Sequence, residues 1–224
     1  MAFYYDGINP DELIELLDTG VITGVTTNLT LVNGKRKNEG ISRIEALEPI
    51  MKVCQDHNLK ISLQVDSNTH KEIVEEAISL FEHYKSSNRI MIKIPVNFET
   101  LKAISACTHH GIEINATCIT SFMQAKLATL AGAKIVSFFW GKMSDQGIDP
   151  YLQVEQYFNW RSCEREFDTT KILVGSVRQP ASIHAAYVAG ADIVTTSRDN
   201  IAKLANQLMS DEANRLFQET VLQN

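Results

Sequence analysis

The chain has no basic cluster, no Cys-x-x-Cys pair, no low-complexity tract and no apolar run long enough to span a bilayer. Each absence narrows the function. Lys and Arg number 21 against 27 Asp and Glu, giving a formal net charge of −6, so no nucleic-acid partner is expected. An acidic protein can still bind an anionic metabolite through a few locally placed cations. Cys54, Cys107, Cys118 and Cys163 are widely spaced, which suits reduced thiols in a cytoplasmic protein better than disulfides or a metal centre. No basic leader precedes an apolar stretch at the N-terminus, so neither a signal peptide nor membrane association is expected. With no long polar tract to disorder it, a chain of 224 residues, 44% of them hydrophobic, is expected to form one domain over 1–224 with a sizeable core.

The histidines offer little for metal chemistry. His109 and His110 are adjacent near the end of an expected helix and so lie on different faces, and no other histidine falls at an expected strand end. All six read as surface or capping residues, and no cofactor is expected.

Apolar runs and helical stripes alternate along the whole chain. Strands are expected at 1–5, 24–28, 60–65, 90–95, 112–117, 134–140, 171–175 and 192–196. Helices are expected at 10–18, 41–57, 69–84, 97–110, 121–130, 149–165, 180–188 and 200–209, with one more amphipathic helix at 211–222. Asn9-Pro10-Asp11-Glu12 carries a helix-start signature, with Asn9 as cap, Pro10 in the first turn and Glu12 at the capping-box position. Eight strand–helix units without a linker imply a parallel sheet closed into a (β/α)8 TIM barrel, with the ninth helix packed on the barrel or on a neighbouring subunit.

Ile90-Met91-Ile92-Lys93-Ile94-Pro95 sets one lysine in the middle of a buried strand. Loss of hydration disfavours an ammonium and yields a nucleophilic amine near neutral pH, the requirement for a Schiff base with a carbonyl substrate. The alternative is a lysine that snorkels to the strand end or pairs with a carboxylate. Around the expected barrel mouth, strand ends supply Asp6, Thr26, Asn28, Gln64, Asp66, Asn115, Thr117, Ser176, Arg178, Thr195, Thr196 and Ser197, and strand 6 leads to Lys142 and Asp145. Singly, these are ordinary turn formers, caps or solvated charges. Together, one amine, a carboxylate and several small hydroxyl and amide groups suit a polyhydroxylated carbonyl compound. Gly175-Ser176-Val177-Arg178 follows strand 7, where barrels often place a phosphate site.

Gly24-Val25-Thr26-Thr27-Asn28, Ile92-Lys93-Ile94-Pro95, Asn115-Ala116-Thr117 with Ser121-Phe122-Met123-Gln124-Ala125, Ala131-Gly132-Ala133 and Gly175-Ser176-Val177-Arg178 together resemble the transaldolase family. The short length is similar to the subfamily of fructose-6-phosphate aldolases and small transaldolases. The resemblance implies a metal-free class I aldolase. Lys93 would form the imine and Asp6 would exchange the C4 hydroxyl proton. Gln64 and Thr117 would hold a proton-relaying water. Asn28 and Asn115 would bind donor hydroxyls, while Thr26 and Phe139 would line the site. Ser176, Arg178 and Lys142 would bind phosphate. It also implies sugar phosphates as substrates, the pentose phosphate pathway as context, and a homo-oligomer, pentamers paired into decamers.

Four positions depart from the family pattern or mix its branches. Leu29 stands where a proline is usual, which makes a less rigid loop the expectation. Lys142 stands where longer transaldolases carry arginine and cannot offer a bidentate fork. Gln64 matches the free aldolases, but Phe139 matches transaldolases, whereas the free aldolases have tyrosine. The balance favours transfer of a dihydroxyacetone unit. The alternatives are an aldolase that releases free dihydroxyacetone, and a catalytically silent sugar-phosphate-binding barrel.

Overall fold

The structure is a computed structural model that describes residues 1–85 and 89–221. Among these, eight parallel strands close into a barrel in chain order: β1 (Ala2–Asp6), β2 (Ile22–Thr26), β3 (Lys60–Gln64), β4 (Ile90–Pro95), β5 (Ile114–Ile119), β6 (Ile135–Phe139), β7 (Lys171–Gly175) and β8 (Ile193–Thr196). The helices are α1 (Pro10–Asp18), α2 (Leu29–Glu39), α3 (Arg43–Asp56), α4 (His70–Tyr84), α5 (Phe98–His109), α6 (Phe122–Leu130), α7 (Trp140–Asp145), α8 (Pro150–Cys163), α9 (Pro180–Val188), α10 (Arg198–Ala205) and α11 (Leu208–Val221). The expected (β/α)8 TIM barrel is therefore the fold. No helix of the described residues is long and apolar enough to cross a membrane.

Strand alternation makes two separate cores. Tyr5, Val25, Ile61, Ile92, Ile94, Ile114, Val136, Ile172 and Val194 join the helices in one large cluster outside the sheet. Tyr4, Met91, Ile135, Leu173 and Ile193 form a second cluster that plugs the barrel interior. Burying such a side chain contributes about 1.5–3 kcal/mol, so this plug is a rigid floor. Gly24 is part of it, because a Cβ there would lie 2.5 Å from the Tyr4 ring. Two residues further along the strands, the same inward positions turn polar, with Asp6, Lys93, Ser137 and Thr195 at a cavity on the C-terminal side.

Several boundaries differ from those expected. The helix expected at 41–57 is α3, and a separate α2 precedes it. Its sequence, LTLVNGKRKNE, buries only Val32, so no apolar stripe marks it. Leu29 is therefore not in a loop; it opens α2, where proline would merely be one favoured first-turn residue. Trp140, expected in strand 6, begins the six-residue α7. Ser197 caps α10, and Met209, expected in the same helix, belongs to α11. Leu222, the expected end of the last helix, lies outside the described residues. Asn9 caps α1 as expected, accepting from Asp11 N at 3.0 Å. Glu12 instead accepts from the Tyr5 hydroxyl at 2.7 Å, which ties α1 to β1.

Candidate active site

Parallel register brings the inward polar residues to one level. Gln64 pairs with Lys93, Lys93 with Asn115, and Asp6 with Thr26. Above them opens a cavity of about 500 Å³. Asp6, Asn28, Gln64, Lys93, Phe139 and Ser176 line it, as do Cys118, Ser137 and Thr195. Thr26, Asn115 and Thr117 lie just beneath its wall, each no more than 1% exposed.

Lys93 is 5% exposed, and its Nζ donates to the Thr27 carbonyl at 3.1 Å. Burial pulls its pKa below the ordinary lysine value, against the opposing charges of Asp6 and Cys118. One carbonyl cannot replace the hydration of an ammonium, so the neutral amine gains at neutral pH. The snorkelling alternative does not describe this lysine, whose amine stays inside the wall.

Asp6 is held by hydroxyls. Thr26 Oγ1 donates to Asp6 Oδ1 at 3.0 Å and lies 2.7 Å from Thr195 Oγ1. A hydroxyl has one proton, so Thr195 must donate to Thr26 while Thr26 donates to the carboxylate. This chain of β8, β2 and β1 fixes the orientation of the carboxylate. Thr26, expected to line the site, meets the Asp6 carboxylate just beneath the cavity wall.

A second chain crosses β3, β5 and β6. Ser137 Oγ donates to Asn115 Oδ1 at 2.6 Å, and Asn115 Nδ2 donates to Ser62 Oγ at 3.1 Å. Both serines were missed in the sequence, although Ser62 and Ser137 each precede a site residue, Gln64 or Phe139, by two positions. A small polar residue on the site-facing side of an apolar strand was the available signal.

β5 carries a bulge. Ala116 opposes Val136 and Ile119 opposes Phe138, so three steps on β5 meet two on β6. Cys118 takes the extra step with φ +59°. Ala116 and Ile119 both join the outer core, and Thr117 and Cys118 are left to the inner side. The Thr117 hydroxyl is buried without a hydrogen-bond partner of normal geometry among the described residues. The Cys118 thiol is pushed up by burial, against the pull of Lys93 and the nearby Thr117 hydroxyl.

The remaining positions divide. Asn28 lines the cavity, but its Oδ1 caps α2 by accepting from Leu31 N at 3.1 Å, which leaves its amide N–H groups for a ligand. Arg43 and Glu76 pin the exit of β3: Arg43 donates to the Gln64 carbonyl and pairs with Glu76, which accepts from Asp66 N at 2.9 Å. Asp66 itself is exposed and contributes backbone, not a site carboxylate. Ser176, with φ +57°, accepts at its carbonyl from Gly141 N at 3.0 Å, which docks α7 on the β7 exit. Arg178 is exposed and forms a two-point ion pair with Asp145 on α7; Lys142 is exposed on the same helix. Neither cation lines the cavity itself; Arg178 Nε lies with the Ser176 hydroxyl against Gly141, and Lys142 acts on Asp145.

The residues present need no metal or cofactor to form an imine, since amine, carboxylate and hydroxyls are all protein groups. Comparison with known proteins gives a consistent result. The family model described as Transaldolase/Fructose-6-phosphate aldolase matches residues 3–223. A probable transaldolase of Clostridioides difficile (strain 630) is 36% identical over 215 residues, covering 95% of this chain and 93% of that protein. One from Methanococcus maripaludis (strain C6 / ATCC BAA-1332) is 34% identical over 214 residues, covering 94% and 93%. One from Desulforapulum autotrophicum is 33% identical over 221 residues, covering 97% and 95%.

Proposed function

Because the chain belongs to the transaldolase/fructose-6-phosphate aldolase family, we propose that it transfers a dihydroxyacetone unit from a ketose phosphate to an aldose phosphate through an imine on Lys93. The observation that carries this is the buried Lys93 amine on the same cavity wall as Asp6. The neutral amine attacks the donor's C2 carbonyl and water leaves. Asp6 takes the C4 hydroxyl proton as the C3–C4 bond breaks, and the bonding pair passes into the protonated imine to give an enamine. The first aldehyde departs. The enamine carbon then attacks the acceptor aldehyde, Asp6 returns the proton to the new alkoxide, and hydrolysis frees Lys93.

The other residues take supporting roles. Thr26 and Thr195 orient Asp6. Asn28 and the Ser62–Asn115–Ser137 chain offer donors and acceptors to the dihydroxyacetone hydroxyls. Gln64 and the buried Thr117 hydroxyl hold the water that relays protons. Ser176, Arg178 and Lys142 form the phosphate end.

Phe139 favours transfer over release. It lines the cavity with a group that cannot hydrogen-bond a hydrolytic water. Fructose 6-phosphate or sedoheptulose 7-phosphate as donor, with erythrose 4-phosphate or glyceraldehyde 3-phosphate as acceptor, places the reaction in the pentose phosphate pathway of the cytoplasm. Product analysis with fructose 6-phosphate and erythrose 4-phosphate tests this. Sedoheptulose 7-phosphate supports transfer, whereas free dihydroxyacetone as the main product, or no product from any such pair, overturns it. Phe139→Tyr is expected to shift the balance toward free dihydroxyacetone; an unchanged ratio removes Phe139 from that role.

A further inference from the structure

Asp145 is the feature of the site rim that the imine chemistry does not use. It lies at the end of α7, three residues after Lys142, and its carboxylate grips Arg178 with both oxygens: Nη1 donates to Oδ1 at 2.6 Å and Nη2 to Oδ2. Such a grip occupies only one edge of the guanidinium. Among the described residues, the adjoining edge, Nε–H with the second N–H of Nη2, makes no further hydrogen bond.

Arg178 Nε lies against Gly141. A Cβ built there would meet Ser176 Oγ and Arg178 Nε, each at 3.1 Å, and Ser176 O at 2.4 Å. The absent side chain of Gly141 therefore lets Ser176 and Arg178 pack against its backbone, which brings the Ser176 hydroxyl and the Arg178 Nε to the same spot. Ser176 also faces the cavity over Lys93. Lys142, on the same short helix, adds a second positive charge that acts on Asp145.

We propose that Asp145 is a positioning residue for substrate phosphate. It holds Arg178 by the Nη1–Nη2 edge so that the Nε–Nη2 edge stays beside the Ser176 hydroxyl, ready for the phosphate. This rests on the reading of Ser176 and Arg178 as the phosphate end of the site. Two observations favour a clamp over a competitor. The ligand and Asp145 use different edges of one guanidinium, so neither must leave for the other. The pair is also half-exposed, with side chains 57% and 43% accessible, where a freely rotating arginine would otherwise lose its rotamer freedom on each binding event. The carboxylate fixes that geometry beforehand, which is the usual gain of preorganisation.

The test uses glycerol 3-phosphate, which carries the anion but no carbonyl and so cannot form an imine. Its binding to the intact protein is measured by calorimetry, with glycerol as the uncharged control. Asp145→Ala is expected to weaken binding about tenfold and Asp145→Asn by less, since an amide keeps one acceptor. Arg178→Ala is expected to weaken it further, and adding Asp145→Ala to that variant is expected to change nothing more. In turnover, Asp145→Ala raises KM for a phosphorylated donor while leaving kcat and the use of an unphosphorylated donor unchanged, a split that general loosening of α7 would not give.

Binding by Asp145→Ala equal to or tighter than wild type overturns the proposal and makes Asp145 a bystander or a competitor. So does a wild-type protein that does not bind glycerol 3-phosphate at all. In that last case, borohydride trapping of dihydroxyacetone on Lys93 reports separately whether the imine chemistry stands.

Discussion

Lys93 trades hydration for one 3.1 Å hydrogen bond to the Thr27 carbonyl, so its folded pKa is depressed by burial. The unfolded chain then binds the proton more tightly than the native one, and the lysine costs stability wherever it must stay protonated. Lys93→Met is expected to abolish turnover and to stabilise the fold at neutral pH by about 1–2 kcal/mol, the usual size of a function-for-stability exchange. That advantage is full below the lowered folded pKa and shrinks as pH rises from there toward the ordinary lysine value of 10.5. Denaturant midpoints of both proteins across pH check it; a less stable Met variant would mean the amine is well solvated. Activity should fall on acidification, as the amine is protonated. Thr26→Val keeps the shape but removes the donor to Asp6. It is expected to lower kcat about 10- to 100-fold, in proportion to the share of acid–base catalysis that an unheld carboxylate loses, with little change in KM. An equal rise in KM instead would place Thr26 on the substrate.

At the level of elements, most strands and helices could be read from alternation and caps, and the exceptions have local causes. α2 was missed because Asn33-Gly34 and five charged or amide residues hide its single buried Val32. α7 is too short for a periodic stripe. The β5 bulge was invisible because Ala116-Thr117-Cys118-Ile119 reads as an ordinary strand, yet it puts Cys118 into the site. Lys93, Asp6 and Asn115 were legible because a charge or amide in an apolar strand stands out. Ser62 and Ser137 were not, since serine in a strand is commonplace. The β3–α4 connection gives a prediction at this scale. Burial pushes the Glu76 carboxyl up, but Ser67, Arg43 and Asp66 outweigh it and hold it below the ordinary glutamate value. Its contribution is therefore present above pH 4.5 and lost as pH falls through the lowered value. Glu76→Ala should cost about 2 kcal/mol near neutrality and less in acid, measured by thermal unfolding at two pH values. A pH-independent loss would point to packing alone.

For the whole molecule, the surface holds more apolar area than the barrel needs. Leu208, Met209 and Phe217 on α11 are 87%, 86% and 72% exposed, and Phe98 on α5 is 79% exposed. A chain of this size exposes single apolar residues routinely, but Met209 and Phe217, eight residues apart, share one side of α11, and such a side suits contact with another copy. We infer a homo-oligomer in which α11 takes part. Sedimentation of the full chain should give particles several times 25.1 kDa, and a chain ending at Ala205 should give smaller ones. Particles of single-chain mass from the intact protein would remove the inference.

The imine proposed at Lys93 joins all three scales, since the amine, the strand that buries it and the barrel whose cavity opens above it would serve one covalent step. Intact mass after incubation with fructose 6-phosphate and borohydride tests it directly. The expected result is a single adduct of the reduced dihydroxyacetone unit on the wild-type chain and none on Lys93→Met. A wild-type chain left unmodified by both fructose 6-phosphate and sedoheptulose 7-phosphate, or a Lys93→Met chain modified equally, would contradict it.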